Sequence, residues 1–151
     1  MAVEGDHNDR NDAARRRLAD LAISLDADQL GLEVDETWTV GSLLGHLAFW
    51  DRLVEARWHY ARQTGTATPI GLDDELTELI NAAAIPGWRV LDPRRVSALV
   101  VTAAEDVDAS IAALPAASVE GVLGEGRPRL LDRSLHRAEH IAMIEGRLAR
   151  S

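Results

Sequence analysis

From Val40 to Gln63 the chain contains no proline, and Leu43, Leu44, Leu47, Trp50, Val54 and Trp58 recur at the three- and four-residue spacing of a broad helix face. A stripe of that kind must be covered by other elements. Nothing elsewhere demands a sheet: Ala and Leu dominate and β-branched runs are short, so the covering elements are expected to be helices as well. The start of this segment is also written locally. Thr39 is placed to be its N-cap, Trp38 to pack before it as a hydrophobic staple, and Gly65 to close it.

The rest of the chain follows the same logic. Ala13, Ala14, Leu18, Leu21, Ala22 and Leu25 predict a first helix over 9–25, with residues 1–8 a frayed polar tail. Residues 26–35 read as a connection whose Leu30, Leu32 and Val34 tuck against the helices. Residues 64–69 read as a loop. Leu72 to Ala84 predicts a short helix with Asp73, Asp74 and Glu75 at its positive end, broken by Ile85-Pro86-Gly87. Asp92-Pro93 is an N-cap followed by proline at the first helical position, opening a long helix to Pro115 with Val96, Leu99, Val100, Ala103, Val107, Ile111 and Leu114 buried. Residues 116–128, with Gly121, Gly124 and Gly126, read as an irregular connection. A last helix is expected over 129–150, packing through Leu131, Leu135, Ala138, Met143, Ile144 and Leu148. The reading is all-α: one domain over 1–151, a four-helix bundle with a short extra helix between the second and third long helices.

Several functions are excluded by composition. The chain has 151 residues, net charge −9 and no Cys, and all 16 of its basic residues are Arg. The acidic balance, with arginines scattered apart from Arg15-Arg16-Arg17, argues against nucleic-acid binding. Lack of Cys excludes disulfides, thiolate ligands and a cysteine nucleophile. No apolar run approaches a membrane span and the first residues lack a signal-peptide pattern, so a cytoplasmic location is expected.

Three of the five histidines carry the functional signal. His136 and His140, four residues apart, project from one helix face and can share a metal ion. His46 borders the Leu43/Leu47 stripe on another predicted core-facing helix. Each taken singly is as compatible with core packing; together, on two inward helices, they form a candidate metal site. Asp132, one turn before His136, is either a fourth ligand, an acceptor that orients an imidazole, or a solvated carboxylate near a helix N-terminus, the last being preferred. Trp50 follows His46 by one turn and forms a cavity wall or packs in the core. Trp88 caps the bundle or lines an entrance. Glu139 reads as a surface or interface charge and Arg137 as a flanking residue. His59 turns to the other side of its helix, and His7 lies in the tail.

Trp38-Thr39-Val40, Leu44-Gly45-His46-Leu47 and Leu135-His136-Arg137-Ala138-Glu139-His140, in that order, resemble the DinB/YfiT-like superfamily. The resemblance covers nearly the whole chain. It implies a four-helix bundle, a homodimer, and a divalent metal, zinc or nickel, held by His46, His136 and His140. It also implies kinship to maleylpyruvate isomerases and to S-transferases that use mycothiol or bacillithiol. The His-x3-His pair departs from the Glu and His arrangement of the isomerases, which weakens an isomerase assignment.

Three imidazoles with an open fourth position describe a reactive metal site rather than a closed structural one. With no Cys in the chain, a sulfur nucleophile has to come from a low-molecular-weight thiol such as mycothiol, and the partner is a small-molecule electrophile. Hydrolysis by a metal-activated water is the alternative chemistry. Arg57, on the His46 face, and Arg133 or Arg137, near the histidine pair, are candidates to hold an anionic cofactor or substrate. The competing reading is a non-catalytic, stress-associated binding or dimerisation bundle, distinguished by whether an accessible cavity reaches the histidines.

Overall fold

The computed structural model describes residues 6–151. Among them are α1 (Asp6–Ser24), α2 (Ala27–Leu30), α3 (Val40–Thr64), α4 (Asp74–Arg89), α5 (Pro93–Ala112), α6 (Ala116–Gly124), a 3-10 turn (Pro128–Leu130) and α7 (Ser134–Ala149). No strand occurs among the described residues, only an isolated bridge between Glu33 and Thr39.

The local signals act as read. The Ser42 amide donates to Thr39 Oγ1 at 3.0 Å and the Thr39 amide to Ser42 Oγ at 2.8 Å, a reciprocal box that starts α3. Gly65, at φ 73°, ends it in the left-handed conformation that a side chain would resist. Asp92 Oδ1 accepts from the Arg94 amide at 2.9 Å with Pro93 at the first helical position of α5.

Several boundaries differ from the sequence reading. Residues 6–8 already belong to α1, and His7 is buried there rather than free in a tail; residues 1–5 lie outside the described part. The connection at 26–35 contains the short α2, started by a second capping box between Asp26 and Gln29. Helix α4 runs through Pro86 and Gly87 to Arg89. Pro86 denies a donor to the Ala82 carbonyl, but both residues are exposed and water can replace it, while burial of Trp88 holds the last turn. The glycines at 121 and 124 do not prevent α6. Gly121 makes room for a neighbour, since a Cβ there would lie 2.8 Å from the Thr68 methyl.

Helix α7 starts at Ser134, later than 129, because the preceding carbonyls are taken by side chains. Trp58 Nε1 donates to the Leu130 carbonyl at 2.9 Å and Asn11 Nδ2 to that of Leu131 at 2.8 Å. The buried face of α7 is also turned from the expected one. Ser134, Arg137, Ile141 and Ile144 point inward, whereas Leu135 and Ala138 are exposed, as is Leu99 on α5.

The four long helices pack as a closed ring, α1 on α5, α5 on α3, α3 on α7 and α7 on α1, with α4 laid along α3. Their core has two apolar parts. One gathers Leu18, Leu43, Leu44, Leu47, Val96, Val100, Ile141 and Ile144. The other gathers Val54, Trp58, Val107, Ile111, Val122, Leu130 and Leu131. Between them along the helices lies a polar layer. Arg137, 0% exposed, donates to Asp108 at 2.8 and 2.9 Å and to Asp51 at 3.1 Å; Arg133 Nε donates to Asp51 at 2.9 Å, and Arg15 to Asp108 at 2.7 Å. Burying guanidinium and carboxylate groups is tolerable only because each finds an opposite charge with direct hydrogen bonds.

Candidate metal centre

The polar layer sets the position of α7 against α3, and the histidines lie beside it. His46, from the second turn of α3, meets His136 and His140, from the first two turns of α7. His46 Nε2 and His136 Nε2 are 2.9 Å apart, and one nitrogen from each of the three rings lies within 4.8 Å of the others. Metal–imidazole bonds are roughly 2.0–2.1 Å, so two nitrogens on one ion are separated by roughly 3 Å. The His46–His136 spacing matches two ligands of one divalent ion, the third nitrogen lies within a small side-chain adjustment of it, and the all-imidazole donor set suits a transition-metal ion. His46 Nδ1 and His140 Nδ1 are buried without a hydrogen-bond partner, so no protein acceptor or donor fixes the tautomer of either ring from that side.

The electrostatics keep these rings neutral, the state in which imidazole ligates. Burial pushes His46 down to about 3, the neighbouring His140 and Arg133 act in the same direction, and the Asn81 amide opposes them. His136 is driven down by burial and then by Arg133, His140, His46 and Arg129. His140 is lowered by burial, against the raising effect of Glu139, with Arg129 adding to the fall.

Aromatic rings surround His46, which is buried. Ring centroids of Trp38, Trp88 and Trp50 lie 5.0, 5.2 and 6.4 Å from that of His46, and Trp38 stacks on Trp88. The approach of Trp88 depends on Gly45, where a Cβ would lie 3.3 Å from its side chain and 2.8 Å from Leu91 Cδ1. Trp38, expected only to staple the start of α3, also reaches to within 6.4 Å of the His140 ring centroid. Trp50 is fixed by donating from Nε1 to Asn81 Oδ1 at 2.8 Å, a tie between α3 and α4.

The cluster opens into a cavity of about 710 Å³, lined by all three histidines, Trp38, Trp50, Arg57 and residues 126–130 among others. That size is ordinary for a small-molecule site. Glu139 stands at its edge, paired at 3.2 Å with Arg129, both exposed.

Other expected residues fall elsewhere. Asp132 is neither solvated nor on a histidine: it is buried, accepts from Arg10 Nε at 2.8 Å, and receives the amide and hydroxyl of Ser134 at the start of α7. Arg137 is not a flanking residue but the centre of the buried layer. Arg133 lines the cavity with its Nη2 3.4 Å from His136 Nδ1, yet Asp51 already holds its charge. His59 is exposed, and His7 is in α1.

The sequence reading passed over Asp51 and Asp108. Each occupies an inward position of its helix, Asp51 four residues after Leu47 and Asp108 four after Ala104. Carboxylates on apolar stripes require buried cations, and that pattern was visible.

No curated protein and no solved structure matches this chain. The family model described as DinB superfamily matches residues 10–144, a span that contains all three histidines, the aromatic shell and the buried charge layer. The chain belongs to the DinB superfamily.

Proposed function

We propose that the protein is a divalent-metal-dependent enzyme in which His46, His136 and His140 hold zinc or nickel at the inner end of the cavity. The observation that carries this reading is the convergence of three imidazoles, all biased towards the neutral form, at the wall of an open cavity. When bound, such an ion supplies Lewis acidity and lowers the pKa of a thiol or a water beside it. The chain's own residues present the three nitrogens, keep them unprotonated, and enclose them with Trp38, Trp50 and Trp88. Without a Cys in the chain, the nucleophile of the favoured reaction is a low-molecular-weight thiol of the mycothiol type, transferred to a small electrophile. Activation of water for hydrolysis is the second chemistry of the same site. A homodimer and a cytoplasmic location accompany this reading, the first on the family resemblance and the second on composition; among the described residues no helix is long and apolar enough to cross a membrane.

One feature favours a non-catalytic reading. The 2.9 Å contact between His46 Nε2 and His136 Nε2 is also an ordinary imidazole hydrogen bond, with Arg133 donating to the far side of His136. Elemental analysis of tag-free protein separates the two. The expected result is about one zinc or nickel per chain, lost in His46→Ala, His136→Ala and His140→Ala while helical circular dichroism persists. Full loading in any variant removes that histidine from the ligand set. No metal after reconstitution near neutral pH leaves the histidines as packing residues. On cobalt-substituted protein, a sulfur charge-transfer band on adding a small thiol supports the transferase chemistry; no band with any thiol leaves hydrolysis.

A further inference from the structure

The cavity has a second charged region, remote from the histidines. Arg57 follows His46 by eleven residues on α3, which places it about 16 Å further along the helix axis. Its Nε and Nη2 donate to the Ile70 carbonyl at 3.2 and 2.6 Å, and Arg127 Nη2 donates to the same oxygen at 2.8 Å. Two guanidiniums thus converge on one neutral acceptor. Gly126, at φ 67°, provides the turn that brings Arg127 there after α6.

Charge is balanced elsewhere in the cavity. Arg133 pairs with Asp51 and Arg129 with Glu139. Arg127 is itself paired with Glu125 at 2.7 Å and donates from Nη1 to the Pro69 carbonyl at 2.8 Å, so the unbalanced cation is Arg57. Arg57 has no carboxylate partner among the described residues, and its two polar contacts leave Nη1 free for a ligand. Burial first, then the like charges of Arg127 and Arg133, depress Arg57 to about 10. On a chain of net charge −9, an arginine without a counter-ion inside a cavity, here Arg57, selects for an anion. The cavity lining also carries the apolar side chains of Trp50, Val54, Leu72 and Leu130, with Thr77 and Asn81 as polar members.

We propose that this outer end is an oxyanion site: Arg57 and Arg127 hold the terminal carboxylate or phosphate of an elongated small molecule whose apolar body lies along Trp50 and Val54 and whose other end reaches the histidines. The proposal deepens the functional reading above by naming the substrate class. The geometry selects molecules in which the anion and the reacting group are separated by on the order of 10 Å, because the long arginine side chain reaches further back toward the helix N-terminus than the imidazole of His46 does.

The test is calorimetric titration of the full chain with octanoate, octyl phosphate and octan-1-ol, in wild type, Arg57→Gln and His46→Ala backgrounds. Arg127→Gln serves should Arg57→Gln lose helical circular dichroism. The expected result is at least a tenfold weaker octanoate or octyl phosphate affinity in the arginine variant, with octan-1-ol changed less than twofold. The tighter of the two anions identifies which oxyanion the site takes. The same arginine dependence is expected in the His46→Ala background, where the histidine cluster is incomplete. Equal anion affinity with and without the arginine overturns the proposal, as does loss of the dependence in His46→Ala, which would put the anion at the histidines. Failure of all three probes to bind wild type overturns it too. Metal content measured on the same samples keeps the readings apart: zinc-bearing protein without arginine dependence refutes this inference alone, and zinc-free protein with it refutes the metal reading alone.

Discussion

Replacing Asp51 by Asn preserves the shape of the side chain and removes one charge from the buried layer. Asp51 is 1% exposed and accepts from Arg133 Nε at 2.9 Å and Arg137 Nη2 at 3.1 Å. The substitution leaves Arg137 with Asp108 as its sole counter-ion and Arg133 with none, and turns an amide N–H₂ towards guanidinium donors. Removing one partner of a buried pair costs about 3–5 kcal/mol, a large part of the about 5–15 kcal/mol that a domain of ordinary stability has. With a urea dependence of about 2 kcal/mol per molar, the unfolding midpoint falls by roughly 1.5–2.5 M. The assay is urea unfolding followed by circular dichroism at pH 7. Asp108→Asn is expected to behave alike, and the double variant to depart from additivity, because both carboxylates act through Arg137. A metal titration adds a second readout: Arg133, released from Asp51, lies 3.4 Å from His136 Nδ1, so zinc affinity falls with stability. A loss below about 1 kcal/mol, the scale of a surface pair, refutes the reasoning and shows that water reaches the layer.

In the metal-free protein, acid should destabilise through the histidines. His46 is held near 3 when folded against 6.5 ordinarily, so between those values the unfolded chain binds a proton that the native state excludes. Stability is therefore complete above 6.5 and falls with decreasing pH by about 1.4 kcal/mol per unit for this residue, with His136 and His140 acting in the same direction; a flat profile from pH 6.5 to 4.5 contradicts the burial of the cluster. Trp58→Phe removes the bond to the Leu130 carbonyl, and the orphaned acceptor should cost about 1–3 kcal/mol in thermal or urea unfolding; a neutral effect shows water replacing the indole. Thr39→Ala breaks the capping box at the head of α3 and should cost about 1 kcal/mol, whereas Thr39→Ser should restore most of it.

Much of this architecture follows from short-range rules. The periodicity of residues 40–63, the Thr39 and Asp92 caps and Gly65 predict α3 and the start of α5 because helix ends and faces depend on neighbours within four residues. The same spacing rule made His136 and His140 a pair, and the inward position of His46 beside the Leu43/Leu47 stripe joined it to them. Where the local signal is ambiguous, the sequence reading failed. Pro86 and Gly121 look like breaks, but Pro86 spoils only a solvated carbonyl and Gly121 admits the Thr68 methyl.

The sequence by itself determined that this chain is helical, where its main helices begin, and which histidines share a face. Only the tertiary structure decided how α7 is rotated. Arg137 occupies the buried side, and Leu135 and Ala138 the exposed side, because Asp51 on α3 and Asp108 on α5 converge where a cation is required. That requirement comes from two carboxylates far away in sequence and outweighs the hydrophobicity of α7's own residues. The same rotation aims His136 and His140 at His46, and the Ile70 backbone carbonyl, accepting from Arg57 and Arg127, holds both arginines at the far end of the cavity. Contacts of this kind form between elements only after folding: the local pattern shows that Asp51 and Asp108 need buried cations, not that Arg137 supplies the charge.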